Sequence, residues 1–135
     1  MSETSRQDSR LRNFAWYHLP AILFAVAILS VSSIPNLHGP ELRVVPFDKL
    51  AHFLEYAFFS FLIFRSLSRL TWIERATTVF LLSLLILSLF AAGDEYFQRF
   101  VPGRQSDPAD FAADVIGGIL ILTYLWLRKH RLGRV

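Results

Sequence analysis

The 135-residue chain contains no cysteine and only one methionine. Without thiols it can build neither a disulfide framework nor a thiolate metal site, and its redox compartment cannot be inferred. Charge is scarce as well: 19% of residues are Asp, Glu, Lys or Arg, against about a quarter in soluble domains. There is no repeat of fixed period and no low-complexity tract. A nucleophile elbow, a phosphate loop, an HExxH pair and a paired-histidine zinc spacing are also missing. Apolar residues are what the chain has in plenty, at 53% of the sequence with a mean hydropathy of +0.40. A soluble fold of this length would lack the polar surface to cover them.

The apolar residues fall into four runs. The first, 14–34, carries no formal charge over 21 residues, enough for a span of ~20. Pro20 near its start is expected to disturb the helix. Ser30, Ser32 and Ser33 would suit a signal-peptide cleavage site, but the run exceeds a signal core of roughly 7–15 residues, so a retained span is expected. The second run, 50–67, carries His52 and Glu55 in its first turns. The third, 76–92, is Leu-rich and uncharged, and no amphipathic face can be drawn on it, which argues against a helix of a soluble core. The fourth, 111–127, contains Asp114 and the pair Gly117-Gly118. The last two runs are short for a bilayer, so flanking residues must complete them. The expected fold is an all-α membrane protein, a bundle of four transmembrane helices. Its parts are a cytoplasmic tail at 1–13, a membrane domain at 14–127 and a basic cytoplasmic C-terminus at 128–135.

Loop charges set the expected orientation. Arg6, Arg10, Arg12, Arg65, Arg69, Arg75, Arg128, Lys129, Arg131 and Arg134 fall on one side, ten in all. Arg43, Lys49, Arg99 and Arg104 fall on the other. An excess of Lys and Arg marks the cytoplasmic side, which gives N-in/C-in, and Trp16, Trp72 and Trp126 lie near that same boundary. The sequence pI of about 9.7 is accounted for by this orientation, so no nucleic-acid partner is expected. The acids run the other way. Only Glu3, Asp8 and Glu74 are cytoplasmic, whereas Glu41, Asp48, Glu55, Asp94, Glu95, Asp107, Asp110 and Asp114 lie on or near the outer side. The positive-inside rule does not require this second asymmetry, so function is sought there.

Three segments supply the outer polar groups. At the start of the second helix, Asp48, His52 and Glu55 share a face, and Lys49, His52 and Tyr56 share an adjoining stripe. Helix-dipole and snorkelling arguments explain Asp48 and Lys49 but not Glu55, which lies two turns into an apolar run. The third helix ends on Asp94, Glu95 and Gln98, acids that oppose the helix dipole, leading into a polar connection over 93–106 that turns at Pro102-Gly103. The fourth helix opens on Asp107-Pro108, read as N-cap and N1, with Asp110 at N3. Asp114 lies one turn deeper and shares their face. An isolated carboxylate at that depth must find a cation or take up a proton, and Lys49 and Arg104 are the nearest cations by depth. Arg104 is expected to be the central cation, reaching Glu55 or Asp94. A structural ion-pair network is the bland reading of the whole set.

At these segments the chain resembles the VanZ-like family of small bacterial membrane proteins. The resemblance rests on Asp48-Lys49 with His52 and Tyr56, on Asp94-Glu95 with Gln98, and on Gly103-Arg104 with Asp107, Asp110 and Gly117, in that order and spacing. It covers the chain from about residue 14. The family commonly has Asn where this chain has Asp114. Its namesake is associated with resistance to the glycopeptide teicoplanin, and most members have no defined biochemical activity.

The resemblance and the polar groups together imply a protein of the bacterial cell envelope, multi-pass in the cytoplasmic (inner) membrane. Its expected role is to bind a ligand or partner at the outer leaflet through Lys49, Glu95, Gln98, Arg104, Asp107, Asp110 and Asp114. A lipid-linked cell-wall precursor or an anionic head group is the partner considered, besides the bilayer itself and a homodimer. An alternative is a membrane enzyme acting on a lipid-linked phosphate or carboxyl substrate, with His52, Glu55 and Asp94 as catalytic candidates. Another is a proton-coupled transporter using Glu55 and Asp114. No cofactor is expected. A divalent ion on Asp94, Asp107 and Asp110 is conceivable, but capping already accounts for two of those acids.

Overall fold

The structure, a computed structural model, describes residues 3–36 and 47–132. Among the described residues all regular structure is helical: α1 (Glu3–Asn13), a π-helical turn (Phe14–His18), α2 (Leu19–Ser32), α3 (Phe47–Leu67), α4 (Ala76–Gln98) and α5 (Pro108–Leu132). Four stretches of the described residues are long and apolar enough to cross a membrane: Gln7–Ser32, Phe47–Leu67, Ala76–Gln98 and Pro108–Arg131. The chain is therefore an all-α, multi-pass membrane protein. Pro40, Glu41, Arg43 and Pro46 of the first connection, and Arg134, lie outside the described residues.

Helix ends follow local chemistry more than apolar run length. The segment before residue 14 is helical and continues into the first span. The disturbance expected at Pro20 is a π turn just ahead of it, closed by the Leu19 N–H on the Phe14 carbonyl. Pro20 has no N–H to offer and its ring crowds the preceding turn, and a widened turn relieves both problems. α4 does not stop near residue 92 but runs on to Gln98, because Asp94, Glu95 and Gln98 are buried side chains of its last turns. Residues 93–98, read from sequence as part of a connection, are thus helix. At the start of α5, Asp107 Oδ1 accepts the Ala109 N–H at 2.8 Å and its carbonyl accepts the Asp110 N–H at 2.9 Å. That is the N-cap expected of an Asp-Pro pair.

α3 is the hub, packing on α5, α4 and α2, while α5 also packs on α4. Tyr56, Phe59 and Ile63 of α3 meet Ile28 of α2 and Leu87 and Ala91 of α4 in one core cluster. Phe64, Ile73, Val79 and Leu122 form a second. The outside is apolar too: Leu23, Val26, Leu54, Leu85, Leu89 and Leu120 are all exposed, as suits a helix bundle solvated by lipid. Small residues set the helix spacing. A Cβ on Gly117 would run into the backbone carbonyl of Phe53, so α3 and α5 touch main chain to main chain there. A Cβ on Gly118 would meet only the Leu87 side chain.

The spans alternate in direction, so each end of the bundle gathers ends of all four. At one end Tyr17 lies under the guanidinium groups of Arg65 and Arg69, 4.9 and 4.1 Å from its ring centre. His18 Nδ1 lies 2.7 Å from Ser66 Oγ, and Trp126 donates to Thr77 at 3.3 Å. The opposite end, called the polar end below, collects the end of α2, the start of α3, the end of α4 and the start of α5.

Candidate functional site

Lys49, in the first turn of α3, donates to Asp107 Oδ2 at 2.6 Å and to Asp110 Oδ1 at 2.8 Å, both at the start of α5. This bridge fixes α3 to α5 at the rim. Its electrostatic imprint is clear at Asp107, whose carboxyl is held below the usual carboxylate range by the Lys49 ammonium and then by the Ala109 N–H. Beneath the rim, His52 Nδ1 lies 3.0 Å from Asp114 Oδ1, again across α3 and α5. Asp114 is completely buried, and His52 is 8% exposed. The contact is an ion pair when the imidazole carries both ring protons, and a neutral hydrogen bond otherwise.

α4 supplies the other half. Asp94 Oδ2 accepts from Ser32 Oγ of α2 at 2.9 Å, from Tyr56 OH of α3 at 3.2 Å and from Gln98 Nε2 at 3.5 Å. One carboxylate oxygen thus ties three helices together. Glu95 Oε2 accepts the backbone N–H of Asp107 at 2.9 Å, which pins the end of α4 to the cap of α5. The acids that seemed unfavourable at a helix C-terminus are held by donors from other helices. The His52 and Tyr56 rings stack at 6.5 Å, so the imidazole is also braced from below.

The network is incomplete. Asp94 Oδ1, Glu95 Oε1, Asp114 Oδ2 and Arg104 Nε are buried atoms without a hydrogen-bond partner among the described residues. Buried polar groups are nearly always paired, so three orphaned carboxylate oxygens in one region need an explanation.

Three sequence readings are corrected here. Arg104 is not the hub: among the described residues it has no carboxylate within ion-pair distance, and its Nη2 donates instead to the Val31 carbonyl at 3.3 Å. Arg104 follows Gly103, whose positive φ of 76° turns the connection toward the end of α2, where the negative end of the helix dipole attracts a cation. Nor is Asp114 met by Lys49 or Arg104. Lys49 is held at the rim by two Asp side chains, and His52 fills the role. The metal set of Asp94, Asp107 and Asp110 is likewise not what converges, since the last two are taken by Lys49. The groups whose ligand atoms do converge are His52, Glu95 and Asp114, and Asp48, His52 and Asp110. Glu55 is half-buried beside this network and forms no ion pair with a described residue. Sequence reasoning missed Ser32 and the hydroxyl of Tyr56 as donors to Asp94. The signal for Ser32 was a hydroxyl at the end of an apolar run, where it was weighed only as a small residue.

The family model described as VanZ/LLP1 matches residues 2–129, and the chain belongs to that family. The match takes in the helical segment before residue 14 as well as the four spans. No curated protein and no solved structure matches the chain.

Proposed function

We propose that this VanZ/LLP1 protein sits N-in/C-in in the bacterial cytoplasmic membrane and holds a ligand in the acid-rich polar end of its bundle, at the outer leaflet. The observation that carries this reading is the set of buried carboxylate oxygens without donors, Asp94 Oδ1, Glu95 Oε1 and Asp114 Oδ2. A half-satisfied polar network is costly as pure structure, and it is what a ligand would complete. Charge narrows the ligand class. Lys49 already serves two acids, so an anionic head group gains little from it. The centre suits a cation or a group rich in hydrogen-bond donors. Native mass spectrometry of the gently extracted protein tests this. The wild type should carry a bound species that the combined Asp94→Asn and Glu95→Gln variant has lost. A wild type that carries nothing would refute the reading.

A catalytic reading draws support from one feature, the buried imidazole oriented by Asp114. Such a pair can move a proton to or from a lipid-linked phosphate or carboxyl substrate, with Arg104 as the remaining cation for its charge. If that substrate is a cell-wall precursor, expression should alter the teicoplanin susceptibility of a host, and a variant lacking His52 should not.

A further inference from the structure

We propose that His52 of α3, Glu95 of α4 and Asp114 of α5 bind one divalent first-row transition-metal ion. The proposal rests on the ligand-site reading above and gives that ligand a chemistry. A ring nitrogen of His52 and one oxygen each of Glu95 and Asp114 all lie within 4.8 Å of one another. Three ligands at about 2.1 Å from a tetrahedral ion would stand about 3.4 Å apart. Shortening these separations by up to about 1.4 Å therefore brings the three onto one centre. All three residues are more than nine-tenths buried.

The hydrogen bonds point the same way. Glu95 gives Oε2 to the Asp107 N–H and keeps Oε1 without a partner. Asp114 gives Oδ1 to His52 and keeps Oδ2 without a partner. Each carboxylate is thus oriented through one oxygen and leaves the other unused: Glu95 is held by a donor outside the ligand set, as outer-shell hydrogen bonds hold metal ligands, and Asp114 is held by its own co-ligand His52. Charge balance adds a third argument. No Lys or Arg among the described residues pairs with Glu95 or Asp114. A dication with a neutral imidazole balances two buried carboxylates, whereas without it a His52 imidazolium offsets Asp114 alone and leaves Glu95 ionised with no cation, which is costly. Protonation of the acids is the competing solution, and the test below separates the two.

Donor type selects the ion. Magnesium and calcium prefer all-oxygen shells, and an imidazole with two carboxylates suits zinc, cobalt, manganese or iron(II). The overlapping group of Asp48, His52 and Asp110 shares the imidazole but fits less well, because Lys49 neutralises Asp110 and Asp48 is exposed.

The full-length protein, stripped with chelator in detergent, is titrated with cobalt(II) and read by its visible absorption, with zinc competition and elemental analysis giving the stoichiometry. One ion per chain is expected. Glu95→Gln and Asp114→Asn keep side-chain shape and one acceptor oxygen, so circular dichroism should be unchanged. Cobalt affinity should fall by more than the roughly 10–100-fold typical of outer-shell changes. Glu74→Gln, at the opposite end, should bind as the wild type does. Independently of any variant, zinc should raise the melting temperature of stripped wild type and EDTA should reverse the gain. Absence of that shift, or cobalt binding that both variants leave intact, overturns the metal site. A donor-rich organic species retained by metal-free protein would leave the ligand-site reading standing and remove the metal; neither species bound would remove both.

Discussion

Asp114 Oδ1 lies 3.0 Å from His52 Nδ1, and one turn beneath this contact Gly117 lets the Phe53 backbone touch α5. The two facts are one design. The polar pair needs α3 and α5 close, and a glycine on the same face of α5 supplies the closeness. Lys49 repeats the link one turn above, at the rim.

Asp114→Asn retains an oxygen for His52 and removes only the charge, so it should cost about 1 kcal/mol or less in fold stability. Asp114→Leu leaves His52 buried beside hydrocarbon and should cost about 1–3 kcal/mol, more if the imidazole is charged. Thermal unfolding in detergent compares the two with the parent. Equal losses would mean that the carboxylate oxygen is not what His52 uses.

Gly117→Ala places a methyl against main chain, which cannot rotate away, and should destabilise by about 1–3 kcal/mol. Gly118→Ala meets the flexible end of Leu87 and gains about 1 kcal/mol in helix propensity, so it should be close to neutral. Chemical unfolding of both variants is the check. Reversal of their order would contradict the backbone contact between α3 and α5.

Asp107 should contribute acid-sensitive stability. Its folded carboxyl is held below the ordinary value of about 3.9 by Lys49, so the stabilisation is fully present above that value. It is lost as pH falls through the depressed folded value. Wild type should therefore melt higher than Asp107→Asn near neutral pH, and the two curves should converge in stronger acid. A gap that persists unchanged to pH about 2 would remove the ion pair as its cause.

Orientation is tested by reporter fusions. Fusions after Leu67 and after Val135 should report the cytoplasm, and a fusion after Arg104 should report the outside. The expectation comes from ten basic residues against four. Reversal at any of the three junctions would move the polar end to the other face of the membrane and defeat the outer-leaflet reading.

Much of the fold was legible because lipid is a simple solvent. An uncharged 14–34 or 76–92 has few options other than a membrane span, and Asp107-Pro108 marks a helix start by its own chemistry. The list of polar residues was legible for the same reason, since carboxylates in apolar runs stand out. Their pairing was not. Periodicity places Asp114 and His52 on faces of their own helices, but it does not say which faces meet or how far each helix is shifted along its neighbour. Arg104 was favoured by charge counting alone, whereas the turn at Gly103 decides where its side chain can reach. The extension of α4 through Gln98 was hidden because its last turns are polar, a pattern that reads as loop until partners from α2, α3 and α5 are in place.

The pairing of His52 with Asp114 also has a timing. The two are 62 residues apart, so at about 5–20 residues per second a ribosome needs about 3–12 s to make the second after the first. α3 therefore enters the bilayer with a histidine whose companion does not yet exist. During that interval it depends on water in the translocon, on neighbouring lipid head groups or on a membrane chaperone. A nascent chain arrested before α5 emerges is consequently the form most exposed to quality-control proteolysis.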